Sequence, residues 1–217
     1  VTADLQEHFA YSVLDETHAE RTIACLCTVF SAQEPLGKAI GISSDELTPF
    51  VTDLVHHAIK TQLSWVAIEK TSSRLVGVRI LTDFHNDFIP GDYESQKLNT
   101  IFAFLDSLYE FQHSDEENES KPLLHCWMTA VLPAFQRQGI LRSLYRAASL
   151  SAIEKGFRFG ISEVTSPYNL AFLESDVTVK KLNTLHYTKY QKDGVFPFSL
   201  AEDSELCVLC RYPLVVR

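Results

Sequence analysis

The stretch from Leu123 to Val164 constrains the fold more than any other. Leu123 to Leu132 is a mostly apolar run of buried-strand type, ended by Pro133. Gln136-Arg137-Gln138-Gly139 then leads into a helix from about Ile140 to Lys155. Leu141, Leu144, Tyr145, Ala148 and Ala152 make its buried stripe, and Gly156 stops it. Phe157 to Val164 reads as a second strand. Strand, crossing helix and strand form a right-handed βαβ unit with parallel strands. A chain holding such a unit builds a sheet with helix packed on it.

The remaining elements show what surrounds that unit. Phe9 to Leu14 has the aromatic, β-branched character of an opening strand. Glu20 to Phe30 reads as a helix, and Pro35 turns the chain after Glu34. Ser43 and Glu46 form a capping box ahead of Leu47, Phe50, Val51, Leu54, Val55, Ala58 and Ile59, which keep helical spacing. Ser64 to Lys70 and Leu75 to Thr82 flank Thr71-Ser72-Ser73-Arg74 as a hairpin. A loop with Pro90 and Gly91 precedes a helical repeat from Leu98 to Tyr109, and the acidic run from Ser114 to Pro122 reads as a solvated flexible loop. Val177 to Tyr187 is predicted helical, and Thr188 to Tyr190 with Glu205 to Tyr212 supply the closing strands. Hairpin-linked strands followed by one βαβ unit describe an α/β chain of the mixed α+β kind, a mixed sheet flanked by helices.

Length and charge narrow the function classes. At 217 residues, a single domain spanning 1–217 is expected. The excess of 28 acidic over 19 basic residues, −9 net, repels phosphate backbones, so nucleic acid is not an expected partner. A cationic small molecule suits that field better. No apolar run approaches the roughly 20 residues of a membrane span, and no membrane partner is expected. Val1 to Phe9 carries acids and no basic segment, unlike a secretory leader. The five cysteines sit among apolar neighbours, as reduced thiols do in an intracellular protein, so the expected location is cytoplasmic. Cys207 and Cys210 point to opposite faces of a strand, and His56 and His57 diverge on a helix, so no metal site is expected. The expected assembly is a monomer or weak dimer.

The loop that opens the crossing helix carries the chemistry. Helix N-termini present unpaired N–H groups and partial positive charge, which suits a phosphate. Gly139 permits close backbone approach, and Arg137 and Arg142 add positive charge to an acidic chain. The alternative is a plain strand-to-helix connection. The pattern Val131-x-Pro133-x-Phe135-Gln136-x-x-Gly139-Ile140 resembles motif A of the GCN5-related N-acetyltransferases (GNAT superfamily). That signature is Gln or Arg, two residues, Gly, one residue, then Gly or Ala; this chain has the bulkier Leu141 at the last position. The resemblance implies the GNAT fold: a mostly antiparallel sheet of six to seven strands, with an extra helix before the cofactor strand. It also implies acetyl-CoA as co-substrate. The edge formed by Met128, Thr129, Ala130 and Val131 would bind the pantetheine arm, and the amides of Gln136, Arg137, Gln138, Gly139, Ile140 and Leu141 would cradle the diphosphate beside Arg142. Asn169 stands where many members carry a cofactor-facing Asn.

A second resemblance concerns the acceptor. Phe30-Ser31-Ala32-Gln33-Glu34-Pro35-Leu36 is similar to the Phe…(Asp/Ser)-Glu-Pro-Leu segment of insect-type arylalkylamine N-acetyltransferases, whose Glu serves as general base. The resemblance implies that Glu34 takes the proton from a small primary amine before direct attack on the thioester. A turn carboxylate exposed to solvent is the alternative for Glu34. His125 lies where vertebrate serotonin N-acetyltransferases carry a relay histidine, although the partner position is Trp127; a hydrogen-bonded core His is the alternative. Ser166 and Tyr168 are candidate acids for the departing thiolate. Polyamines, amino acids or a peptide N-terminus are alternative acceptors, and a CoA-binding domain without turnover is the alternative outside enzymes. Phe84, Phe88, Phe102, Phe104 and Trp65 are candidate pocket aromatics.

Overall fold

A computed structural model describes residues 8–110, 122–201 and 205–215 of the chain. The elements run β1 (Phe9–Val13), α1 (Ala19–Gln33), α2 (Pro35–Ile40), α3 (Ser44–Thr61), β2 (Trp65–Glu69), β3 (Arg74–Asp83), α4 (Gln96–Asp106), β4 (Leu123–Val131), α5 (Ile140–Glu154), β5 (Phe159–Val164), α6 (Pro167–Asp176), β6 (Lys180–His186) and β7 (Leu206–Pro213). Seven strands form one sheet in the order β1-β2-β3-β4-β5-β7-β6. Only β4 and β5 are parallel, because α5 must return the chain to the same end of the sheet before β5 begins. Every other neighbouring pair is antiparallel.

Each face of the sheet buries a separate apolar layer. An extra residue at Trp127 reverses the alternation along β4: Leu124 and Cys126 before it face α5, and Met128 and Ala130 after it face α1, α3 and α4. On β7, Cys207 and Leu209 join the first layer while Val208, Cys210 and Tyr212 join the second. The two cysteines of the C-x-x-C therefore do lie on opposite faces. Strand β5 places Gly160 directly beside Tyr212 of β7. A Cβ at Gly160 would stand 2.6 Å from the Tyr212 ring, so the glycine is what lets this phenol lie across β5.

Local chemistry accounts for the helix boundaries. The capping box at Ser43 and Glu46 is closed in both directions, Ser43 Oγ accepting from Glu46 N at 3.2 Å and Glu46 Oε2 from Ser43 N at 2.9 Å. Pro35 occupies the first turn of α2, where its missing N–H is not needed, and Gly41 closes that helix in the left-handed region at φ 64°. The turn expected at Pro35 is thus the start of a further short helix.

Two predicted elements near the C-terminus are corrected. Val177 to Tyr187 is not a helix: α6 ends at Asp176, and Lys180–His186 pairs antiparallel with β7 as edge strand β6. Thr188 to Tyr190 is not a strand but falls in a single 3₁₀ turn and its end. The segment has few apolar residues, so pairing to β7 decides its conformation, and Lys180 and Lys181 guard the open edge. Ser114 to Lys121, most of the predicted acidic loop, lies outside the described residues. Among the described residues no helix is long and apolar enough to cross a membrane. Gly160→Ala is expected to lower stability by about 1–3 kcal/mol through overpacking against Tyr212. Urea unfolding checks this, and an unchanged midpoint would contradict the packing described.

Candidate active site

The parallel strands part company midway. β4 and β5 pair through Leu123–Phe159, Leu124–Gly160 and His125–Ile161 and no further, although β4 continues along β3 to Val131 and β5 along β7 to Val164. At the fork Ser162 Oγ donates to the Cys126 carbonyl at 3.1 Å. Ile80 faces Met128 while Leu81 faces Cys126, so Trp127 is the extra residue of a bulge, and bulges bend the strand that carries them. Beyond the bulge, Met128 to Val131 present an edge with no β5 partner. A cleft of about 1550 Å³ opens along this gap and is lined from both faces of the sheet.

Glu34 sits on the wall of that cleft and is half-buried. It is the N-cap of α2: its Oε1 accepts from Leu36 N at 3.1 Å and its Oε2 from Gly37 N at 2.6 Å. A Cβ at Gly37 would lie 2.7 Å from the Phe30 carbonyl and 3.3 Å from Glu34 Oε2, so no larger residue could bring its amide so near. With Thr165 as a third donor, one of the four acceptor sites of the carboxylate is left open. Burial pushes the Glu34 carboxyl above its ordinary value, against hydrogen bonds from Gly37, Thr165 and Leu36. Thr165 follows the end of β5, while Gln33 Oε1 accepts from Gln136 Nε2, which also reaches the Val131 carbonyl at 3.2 Å. Glu34 is thereby tied to the β5 bank, and its neighbour Gln33 to the β4 bank. It is not an exposed turn carboxylate.

His125 has two partners that sequence reasoning missed. Its Nδ1 meets Asp87 Oδ2 in a short contact, and its Nε2 lies 3.0 Å from Glu163 Oε2. Trp127 Nε1 donates to Asp87 Oδ1 at 2.7 Å, and the Tyr109 hydroxyl donates to Glu163 Oε1. Burial opposes a charge on His125, but Glu163 and Asp87 outweigh it and lift its pKa to about 10. Burial likewise raises both carboxyls, and the imidazolium brings each below its ordinary value. His125 is therefore a clamped cation at neutral pH with both nitrogens occupied. Asp106 is raised by burial and by the Glu163 charge. Phe84 and Trp127 lie 5.7 and 4.8 Å from the His125 ring, and Phe88 lies 5.8 Å from Trp127. Of the candidate aromatics, Phe84, Phe88 and Phe102 line the cleft. Phe104 instead packs on Tyr187, Tyr190 and Phe198, and Trp65 packs against the α5 layer.

The motif loop forms the far end of the cleft. Arg137 and Gly139 both adopt left-handed conformations, φ 60° and 79°, and Gly139 caps α5 with no side chain on the first-turn amides. Gln136, Arg137, Gly139, Ile140, Leu141 and Arg142 all line the cleft. Leu141, expected in the buried stripe of the helix, is half-exposed and outside the apolar layers, while Ile140 takes the buried place. The exposed Arg142 pairs with Asp176 at 3.1 Å. Ser166 precedes α6 as its N-cap, Asn169 lies exposed in its first turn, and Tyr168 is 82 % exposed at the cleft mouth.

The clamped imidazolium has consequences for stability. A folded pKa raised to about 10, against roughly 6.5 in the unfolded chain, means stability fully present below pH ~6.5 and lost as pH rises toward 10. His125→Gln strands two carboxylates and is expected to cost about 3–5 kcal/mol, read by urea unfolding across that pH window. A pH-independent stability from neutral to alkaline conditions, or an imidazole that titrates by NMR near 6.5, would contradict the clamp.

No protein-family model and no curated protein matches the chain. Solved structures do. The C-terminal condensation domain of Ebony, in complex with β-alanyl-dopamine, superposes with a TM-score of 0.81 at 18% identity, covering 94% of this chain and 98% of that one. Arylalkylamine N-acetyltransferase 2 from Aedes aegypti gives 0.80 at 17% identity over 95% and 99%. An agmatine N-acetyltransferase gives 0.76 at 17% identity over 95% and 100%. With its single parallel pair, parted strands and helix order, the chain has the GNAT acetyltransferase fold.

Proposed function

We propose that this protein transfers an acetyl group from acetyl-CoA to the primary amine of a small acceptor, an arylalkylamine first among the candidates, within one ternary complex. The observation that carries the reading is Glu34: a carboxylate of raised pKa on the cleft wall, held by the α2 amides and by Thr165 at the end of β5. An alkylammonium is no nucleophile until it loses a proton, and Glu34 is the group placed to take it. The freed nitrogen attacks the thioester carbonyl directly, with no acyl-enzyme. Backbone N–H groups on the unpaired edge from Met128 to Val131 would hold the developing oxyanion.

Acetyl-CoA, when bound, supplies the activated acyl group. The chain's fit to it rests on the α5 N-terminus, whose first-turn amides have no side-chain cap and are flanked by Arg137 and Arg142. Asn169 at the mouth is a further contact, and the half-exposed Leu141 narrows the cradle. Aromatic side chains Phe84, Phe88 and Trp127, with negative charge from Asp87, Asp106 and Glu163, suit an acceptor that is both cationic and aromatic. A polyamine or agmatine acceptor is the second reading. It is favoured by the same carboxylates, which exceed the single His125 charge, and an agmatine N-acetyltransferase has this fold.

Glu34→Gln keeps an acceptor oxygen for the α2 amides while removing the base. It is expected to lower kcat by about 10²–10⁴-fold with the affinity for acetyl-CoA unchanged. The wild-type kcat/KM should rise with pH through a Glu34 pKa above the ordinary carboxylate value, a limb the variant loses. Mass spectrometry of products from acetyl-CoA and a panel of tryptamine, tyramine, dopamine, serotonin, agmatine and spermidine identifies the acceptor. Acetylation of aliphatic polycations alone would replace the arylalkylamine reading with the second. Equal turnover by Glu34→Gln would remove Glu34 from the mechanism.

A further inference from the structure

We propose that Tyr212, held by Arg79, is the hydrogen-bond donor that stabilises the departing thiolate, and that the pair forms a sulfur-receiving station beneath the β4/β5 gap; this rests on the acyl-transfer reading above. Arg79 belongs to β3 and Tyr212 to β7, so the two separating strands lie between them. On the face covered by α5 they reach toward each other: Arg79 Nη2 donates to Tyr212 Oη at 3.3 Å, and Nη1 donates to Thr129 Oγ1 at 3.3 Å. Both line the cleft, beside Ser162 and Cys126 at the fork. Gly160 permits the arrangement, since any side chain there would strike the Tyr212 ring before it crossed β5.

Arg79 is unusual in its charge balance. It is 5 % exposed, and among the described residues no carboxylate pairs with it; its neighbours are two hydroxyls and the Tyr145 ring, 4.9 Å from its Cζ. Burial works against its charge, yet the surrounding groups hold its pKa above the ordinary value. A buried guanidinium without an anion is costly, and such a charge in a cleft marks a place where an anion forms or binds. Tyr212 Oη accepts from Arg79 and donates to no described residue, so its own proton remains available. Burial keeps that phenol protonated, against the pull of Arg79. The proposed acids Ser166 and Tyr168 lie at the cleft mouth, and Tyr168 faces solvent.

The step balances as follows. Glu34 first passes the ammonium proton to solvent; the amine lone pair then forms the N–C bond and the second amine proton passes to Glu34. The C–S bond then breaks with its electron pair on sulfur, and the thiolate so formed accepts a hydrogen bond from the Tyr212 hydroxyl, giving amide and bound thiolate. The thiolate is the transient counter-ion of Arg79, and the proton on Glu34 reaches it through solvent to give the free thiol. Tyr212 is the catalytic residue of this step and Arg79 its positioning residue.

The test titrates the thiol of enzyme-bound CoA by its ultraviolet thiolate absorbance, with desulfo-CoA as blank, so that no acceptor is needed. Wild type should hold the thiol pKa below that of free CoA, because the guanidinium and phenol stabilise the thiolate. Tyr212→Phe, which preserves the ring, and Arg79→Gln should both move it back up. Tyr212→Phe should also lower kcat about 10²-fold with the KM for acetyl-CoA unchanged. If Arg79→Gln does not fold, Tyr212→Phe alone decides. CoA bound with the same thiol pKa in wild type and Tyr212→Phe would overturn the station while leaving the acyl-transfer reading standing. Loss of turnover in Tyr168→Phe but not in Tyr212→Phe would assign the donor to sulfur to Tyr168 and overturn it likewise. Failure of wild type to bind CoA at all would remove the functional reading and the station together.

Discussion

The parting of β4 from β5 after His125 is the constraint on which the site depends. A parallel pair inside a sheet normally keeps its ladder, because unpaired backbone groups away from water are expensive. Here the ladder stops after three residue pairs. The Trp127 bulge turns β4 outward along β3, and β5 stays with β7, so two edges face each other across open space. Such edges hold polar groups ready for a chain-like ligand, in the manner of a missing strand. The rest of the site is arranged about this gap: Glu34 braces it from one face, and Arg79 with Tyr212 spans beneath it on the other.

Charge is divided between the two faces. Glu34, Asp87, Asp106 and Glu163 belong to the side of α1, α2 and α4, where His125 is the one cation among the described residues that pairs with them. Arg79 lies on the α5 side, and Arg137 and Arg142 stand at the start of that helix. A net charge of −9 over the whole chain conceals this division. In the proposed reaction it separates a cationic acceptor from an anionic donor, so each reactant is drawn to its own side and they meet at the opening in the sheet. The His125 clamp adds rigidity, since it ties β4, β5, the segment after β3 and the end of α4 into one polar network.

What was legible in the sequence is what is local. The strand–loop–helix at Leu123 to Lys155 carries its own boundaries in Pro133, Gly139 and Gly156, and the capping box at Ser43 marks α3 within four residues. Glu34 stands out in the sequence through its neighbours Pro35 and Leu36, although its place as N-cap of α2 does not. Asp87 and Glu163 each lie 38 residues from His125, with no periodicity joining them. Arg79 and Tyr212 are 133 apart, and nothing in Arg79's strand pattern distinguishes it from a surface residue. Strand β6 is not legible in its own residues, because its conformation is imposed by pairing to β7. Leu141 was assigned to the helix stripe on spacing alone, whereas the αL turn at Gly139 rotates Ile140 into that place.

The most direct test of the account is amide hydrogen exchange of the wild-type chain, followed by mass spectrometry with and without acetyl-CoA. The account predicts protection confined to Cys126–Val131 on β4 and to Gln136–Arg142 at the start of α5, with β1 and β6 at the sheet edges unchanged. Exchange in both segments unaffected by acetyl-CoA at saturating concentration would contradict the claim that the open gap is the donor site.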